Sequence, residues 1–233
     1  MEEQSNEFAL HQACMNGDIK KVQDLLEGNS ALVNMKDEDG RHPIHWAISS
    51  QHAGIVELLL LYMKKMDLDS LLDDSDWSPM HVASAVGDYE IFVMLLNHDI
   101  KPLLDESTSQ GTTPLHLACS KKHQKIVSSL IERGASVRTK DKYQRMALHR
   151  ACASGCIAVV KLLCDARHPV NSRDVNGWPP LFHALSEGHA DVAVLLVQEY
   201  GAEWEEVKSN SGETALDVAV DKNVREYFLK HVV

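Results

Sequence analysis

A histidine recurs at a nearly constant interval along most of the chain. Successive intervals are 34, 36, 35, 33 and 34 residues, and the histidines are His11, His45, His81, His116, His149 and His183. A further step of 34 residues reaches Asp217, and an alanine lies within two residues after each of these positions. Self-similarity at such a period indicates stacked structural units, each of which buries its apolar face against its neighbours.

Each copy of the repeat has the pattern of a short helix, a tight loop and a second helix. Thr113-Pro114 and Ser78-Pro79 place a hydroxyl at the helix N-cap and a proline at the first helical position. A second apolar run, such as residues 126–131, follows about ten residues after the histidine frame. Turn signals such as Asp39-Gly40 precede the frames, so the predicted unit is turn, helix, loop, helix.

The frame Thr113-Pro114-Leu115-His116-Leu117-Ala118 resembles the TPLHxA signature of the ankyrin repeat, whose period is near 33. The resemblance implies an all-α ankyrin-repeat solenoid of seven helix-turn-helix units with short β-turn or hairpin tips. We expect a single domain over residues 1–233, with units at about 5–36, 37–72, 73–107, 108–140, 141–173, 174–209 and 210–233. The acidic residues 1–7 and the divergent last unit are expected to cap the ends.

The sequence patterns point away from catalysis and cofactor binding. No phosphate-cradling glycine loop, HExxH or GxSxG motif occurs in the sequence. The five cysteines form no CxxC pair, and we interpret them as free, mostly buried thiols. The repeat histidines are interpreted as structural imidazoles bonded to turn backbone, and the turn carboxylates as solvated groups. We therefore predict a non-enzyme with no catalytic residues, no cofactor and no metal site.

Charge and hydropathy restrict the location and the partners. The formal net charge is −11, which argues against nucleic acid as a partner. No apolar run approaches the roughly 20 residues of a membrane span, so no membrane partner is expected. The acidic amino terminus is unlike a secretory signal. We expect a chain that is monomeric by itself and located in the cytoplasm and nucleus.

The charges segregate along the sequence. Residues 1–100 carry 6 Lys and Arg against 18 Asp and Glu, residues 101–173 carry 13 against 5, and residues 174–233 carry 4 against 11. Because a linear array converts sequence blocks into surface zones, we predict a partner with the inverse charge order. Trp77 and Trp178 each precede a helix start, and Trp46 lies on a first helix. For Trp77 and Trp178, packing against a neighbouring turn and contact with a partner are equally compatible with the pattern.

Several idiosyncratic segments extend the resemblance beyond a generic ankyrin array. They are Asp37-Glu38-Asp39-Gly40-Arg41 before His45-Trp46, then Trp77-Ser78-Pro79, Arg138-Thr139-Lys140-Asp141-Lys142 and Gly177-Trp178. With these segments the chain resembles the gankyrin family, and its yeast-type members in particular. The resemblance implies an assembly chaperone of the 26S proteasome regulatory particle that binds the C-terminal domain of a base AAA ATPase subunit through its concave face.

The predicted binding residues come from this resemblance and from the charged and aromatic tips. The resemblance implies contacts by Asp39, Arg41, Trp46, Asp74, Trp77, Lys140, Lys142, Tyr143 and Arg150. Asp37, Asp76 and Trp178 complete the predicted set. The alternative function is that of a generic ankyrin-repeat adaptor or inhibitor of a kinase or a transcription factor.

Overall fold

The computed structural model describes residues 8–232, which contain thirteen α-helices and no strand. The helices are α1 (Ala9–Asn16), α2 (Ile19–Gly28), α3 (Pro43–Ser49), α4 (Ala53–Tyr62), α5 (Pro79–Val86), α6 (Tyr89–Leu96), α7 (Pro114–Ser120), α8 (Gln124–Glu132), α9 (Ala147–Ser154), α10 (Ile157–Asp165), α11 (Pro180–Ser186), α12 (Ala190–Tyr200) and α13 (Lys222–Val232). One helix pair lies in each of the first six predicted repeats, so the all-α repeat fold is confirmed. The proposed cap at residues 1–7 lies outside the described residues.

The chain divides into two compact units, residues 1–109 and 110–233. Within the first unit, the first helices α1, α3 and α5 contact one another in order, and the second helices α2, α4 and α6 do the same. Within the second unit, α7, α9 and α11 form one such row, α8, α10 and α12 form the other, and α13 packs on α12. The grouping of all seven repeats into a single domain stays a prediction.

Each helix pair is held together by small and aliphatic side chains. In the second unit, Ala118 and Ala151 are fully buried on the first helices, where their small size lets adjacent helices approach closely. Leu130 and Leu163 on the second helices are fully buried as well. Gly155 ends α9 at φ +74°, and a Cβ at this position would collide with the His189 ring. The tight loop between α9 and α10 therefore requires glycine.

Five of the six repeat histidines join their own repeat to the tip of the next. His149 Nδ1 accepts the backbone N–H of Met146 at 3.1 Å, so Nε2 carries the proton and donates to Ser172 O at 3.0 Å. His45 forms the corresponding bonds with His42 N and Trp77 O. Burial lowers the pKa of His116 to about 4 and that of His149 to about 3, so both rings are neutral at pH 7. The interpretation as structural imidazoles bonded to turn backbone is confirmed for five of the six repeat histidines. It is wrong for His183, whose Nε2 lies 3.0 Å from the Asp174 carboxylate instead.

The seventh repeat departs from the others because a single turn stands where its first helix is expected. The Asp217 carboxylate accepts the backbone N–H of Thr214 at 2.9 Å and its hydroxyl at 2.7 Å. Residues 215–217 form only a turn, and α13 is the one α-helix among residues 210–232. Asp217 occupies the repeat histidine position but cannot donate to a following tip. The exposed face of α13 carries charged residues, consistent with the predicted cap, while Phe228 is buried against Trp204.

The Thr113 hydroxyl is the N-cap of α7 and should stabilise the second unit. Thr113 is fully buried, and its Oγ1 lies 2.8 Å from His116 Nδ1 and 3.5 Å from His116 N. Thr113→Val keeps the shape of the side chain and removes the hydroxyl. We expect it to lower the free energy of unfolding by about 1–2 kcal/mol, as loss of an N-cap does elsewhere. Urea denaturation measures the change.

The same isosteric replacement at Thr139 serves as the control. Thr139 is only partly buried and caps no helix, so Thr139→Val should change the free energy of unfolding by less than about 0.5 kcal/mol. Equal stability of the two variants would contradict the capping role of Thr113.

Candidate protein-binding site

The turns that precede the first helices of the repeats, called tips, are shaped by aspartate side chains. Asp37 Oδ1 accepts the backbone N–H groups of Asp39 at 3.0 Å and Arg41 at 2.8 Å. Three further aspartates accept the N–H groups two and four residues later in the same way, at 2.8 to 2.9 Å. These are Asp73, Asp141 and Asp174. One carboxylate oxygen of each residue therefore fixes the shape of its tip.

The second oxygen of three of these aspartates, Asp37, Asp141 and Asp174, binds a side chain on the first helix. Trp46 Nε1 donates to Asp37 Oδ2 at 2.6 Å. Arg150 Nη2 donates to Asp141 Oδ2 at 2.8 Å, and His183 Nε2 lies 3.0 Å from Asp174 Oδ2. In all three pairs the partner lies nine residues after the aspartate. The tip and the first helix are thus joined through one carboxylate.

Adjacent tips within a unit are linked by backbone hydrogen bonds. In the first unit, Asp74 N donates to Asp39 O at 3.1 Å. In the second unit, Lys142 N donates to Gln110 O at 3.0 Å and Val175 N donates to Tyr143 O at 2.9 Å. These bonds place successive tips side by side, so their exposed side chains form a row in each unit.

The first unit carries an aromatic and acidic cleft beside its tips. Arg41 stacks over the Trp46 ring at 5.2 Å from its centroid, and Arg41 Nε lies 3.7 Å from Asp73 Oδ2. A cleft of about 390 Å³ is lined by Trp46, Asp37 and Asp39 together with Met15 and other residues of α1. This cleft is open to a side chain of a partner.

The second unit presents basic and aromatic side chains. Arg145 lies over the Tyr143 ring at 4.4 Å, and its Nε bonds Asp141 Oδ2 at 3.0 Å. Lys140 and Lys142 are exposed on the same tip. Trp178 packs edge-on against Phe182 of the adjoining helix α11 and is partly exposed. This contact is not with a neighbouring turn, so both alternatives for Trp178 stay predictions.

Hydrogen bonds keep two of the tip carboxylates charged. Burial alone would raise the pKa of Asp37, but the bonds from the Trp46 side chain and from the backbone of Arg41 and Asp39 hold this pKa below its ordinary value. Burial opposes ionisation of Asp141 too, yet the bonds and charges of Arg145 and Arg150 lower its pKa.

The structure divides the predicted binding residues between the two units. Seven lie in the first unit and five in the second. The exposed ones are Asp39, Asp74, Asp76, Lys140, Lys142 and Tyr143, and the partly buried ones are Asp37, Arg41, Trp46, Trp77, Arg150 and Trp178. Their role in binding stays a prediction.

Sequence reasoning missed Arg145 and the buried aspartates Asp141 and Asp174 as parts of this site. It also took the tip carboxylates for solvated groups, which is wrong for the four tip aspartates, since their oxygens bind backbone and side chains. A usable signal was present, because each of these aspartates stands five residues before the residue that caps the first helix.

Residues 8–232 contain no group of three or more His, Cys, Asp and Glu side chains able to hold a metal ion. The five cysteines are free, four of them are buried, and burial raises the pKa of Cys14 to about 12. No helix in this part of the chain has the length and apolar character of a membrane span.

Comparisons with known proteins agree with this geometry. Residues 10–106 and 99–174 match the family model of ankyrin repeats in three copies, and residues 176–209 match that of a single ankyrin repeat. The chain is 47% identical over 226 residues to the probable 26S proteasome regulatory subunit p28 of Saccharomyces cerevisiae, covering 97% of this chain and 99% of that protein. The chain is a yeast-type member of the gankyrin family. The resemblance predicted from its tips is thereby confirmed.

More distant relatives share only the repeat. Human inversin is 31% identical over 189 residues, covering 80% of this chain and 17% of inversin. The ankyrin repeat domain of Bcl-3 superposes with a TM-score of 0.75 at 24% identity over 95% of this chain and 97% of that domain. These likenesses support the fold and carry no partner to this chain.

Proposed function

We propose that the chain is a non-catalytic scaffold and an assembly chaperone of the 26S proteasome regulatory particle. It binds the C-terminal domain of one base AAA ATPase subunit through the face formed by its tips and first helices, the face that is concave in the family. The similarity to yeast p28 carries this proposal, because it extends over nearly the whole of both chains. The chain acts as a monomer in the cytoplasm and nucleus and holds the ATPase subunit as a rigid template.

The charges on the tips support a partner of defined electrostatics. Asp39, Asp74 and Asp76 are exposed on the tips of the first unit, whereas Lys140 and Lys142 are exposed on a tip of the second. The partner should therefore present a basic patch to the first unit and an acidic patch to the second. Such complementarity speeds association and selects one orientation of the partner.

Reversing one tip charge should weaken this complex. We expect Asp74→Lys to raise the Kd for the ATPase C-terminal domain about tenfold at low salt, with a smaller effect at high salt because exposed charges are screened. Titration calorimetry at two salt concentrations measures both effects. Asp24→Lys makes the same charge change at an exposed position on helix α2 and should leave the Kd within about twofold.

Co-purification tests the proposal as a whole. The purified chain is mixed with each base ATPase C-terminal domain in turn and analysed by gel filtration. The proposal requires that one domain co-elute with the chain. Failure of every domain to co-elute would refute it, and capture of a kinase or transcription factor instead would favour the adaptor function.

A further inference from the structure

We propose that Asp37 is a positioning residue for partner binding, which acts by holding Trp46 in its binding orientation rather than by contacting the partner. The inference rests on the proposed function and specifies how one part of its surface works. It follows from the different bonds of the two Asp37 carboxylate oxygens. Oδ1 accepts backbone N–H groups of the tip, and Oδ2 accepts the indole N–H of Trp46.

The hydrogen bonds of Asp37 leave it little capacity for a partner. Oδ1 accepts two backbone N–H groups, and Oδ2 accepts Trp46 Nε1 at 2.6 Å. The carboxylate is partly buried beneath its own tip, whereas its neighbour Asp39 is exposed. A basic side chain in the cleft therefore has the exposed carboxylate of Asp39 available, whereas Asp37, which also lines the cleft, already accepts three hydrogen bonds.

Trp46 is held by two neighbouring side chains and still lines the cleft. Its N–H is bonded to Asp37, and the Arg41 guanidinium lies over its ring. The same ring lines the cleft with Met15, which is 42% exposed. An aromatic side chain fixed in the free protein loses little conformational freedom on binding, so it anchors a partner more tightly than a mobile one.

The same arrangement recurs with different side chains. Asp141 holds Arg150 and Asp174 holds His183 at the same spacing of nine residues. The aspartate is constant and the side chain that it holds differs between tips. At these three tips, the position nine residues after the aspartate is thus where one tip can differ from another in the partner group that it accepts. At the tip of Asp73 this position is Val82, which cannot form such a bond.

Two conservative variants separate positioning from direct contact. Asp37→Asn keeps an oxygen for the backbone N–H groups but places an amide NH₂ where Trp46 Nε1 needs an acceptor. Trp46→Phe keeps an aromatic ring and removes the N–H. We expect each single variant to weaken binding of the ATPase domain about five- to tenfold, and Asp37→Asn to add nothing beyond a charge effect in the Trp46→Phe background. Asp39→Asn, which removes a charge from the same tip, measures that charge effect.

Indole N–H resonances of the unbound protein provide the second readout. The Trp46 signal, identified by its loss in Trp46→Phe, should shift upfield and exchange faster with solvent in Asp37→Asn, while the signals of the other tryptophans stay in place. An unmoved Trp46 signal, or a full affinity loss from Asp37→Asn in the Trp46→Phe background, would overturn the positioning role. If the wild-type chain binds no ATPase domain, the proposed function is refuted. The role of Asp37 in partner binding is then refuted with it, whatever the indole resonances show.

Discussion

Replacing Asp141 with alanine should lower the free energy of unfolding by about 3–5 kcal/mol, the range found when one partner of a buried ion pair is removed. The Asp141 side chain is fully buried and accepts bonds from two backbone N–H groups and two guanidinium groups. Its loss opens the tip and leaves Arg145 and Arg150, both about three-quarters buried, without their shared counter-charge. Urea denaturation followed by circular dichroism measures the change.

Two companion variants divide this effect into its parts. Asp141→Asn can keep the bonds to the N–H groups of Tyr143 and Arg145 and loses the charge facing the guanidinium groups, so we expect roughly half of the destabilisation. Lys142→Ala truncates the exposed neighbour on the same tip and should change the free energy of unfolding by less than about 0.5 kcal/mol. If Asp141→Ala were as stable as Lys142→Ala, the structural role of this carboxylate would be wrong.

The repeat fold could be predicted because the residues that determine each helical repeat lie close together in sequence. The cap, the proline, the histidine and the alanine of a unit lie within six residues of one another, as in residues 113–118, so one frame suffices to place a helix. The prediction failed in detail where this local code is broken. The Asp217 carboxylate accepts the N–H and the hydroxyl of Thr214, but it has no N–H to donate to a following tip. Only a turn forms at this position.

The chemistry of the tips could not be predicted in the same way, because it depends on which oxygen of a carboxylate meets which donor. Asp141 in sequence is one charge in a basic stretch, and only the fold shows that it lies between Arg145 and Arg150. Sequence placed Trp46 on the first helix, but its bond to Asp37 requires the tip to fold back over that helix. Exposed residues such as Asp74 and Lys142 were easier to place, since turns are at the surface.

Acidification from pH 7 to pH 5 should destabilise the protein through its buried histidines. Burial lowers the pKa of four of them to between about 3 and about 4 in the folded chain, while the unfolded chain protonates near the ordinary value of about 6.5. These residues are His42, His116, His149 and His168. The unfolded state binds more protons below pH 6.5, so their contribution is complete above that pH and is lost as the pH falls towards 4.

Each of these histidines should contribute about 1–2 kcal/mol to the loss between pH 7 and pH 5, on the order of 5 kcal/mol together. Asp37 and Asp141 do not contribute in this window, because their lowered pKa values matter only below about pH 4. Urea unfolding at several pH values gives the slope. His42→Thr removes one titrating ring and places a hydroxyl at the N-cap of α3, as Ser78 does at the N-cap of α5. The free energy of unfolding of this variant should therefore fall less between pH 7 and pH 5, by the contribution of one histidine. A free energy of unfolding that stays constant from pH 7 to pH 5 would show that the rings are not held neutral. The bonds of neutral His116 and His149 to the following tips would then have to be abandoned.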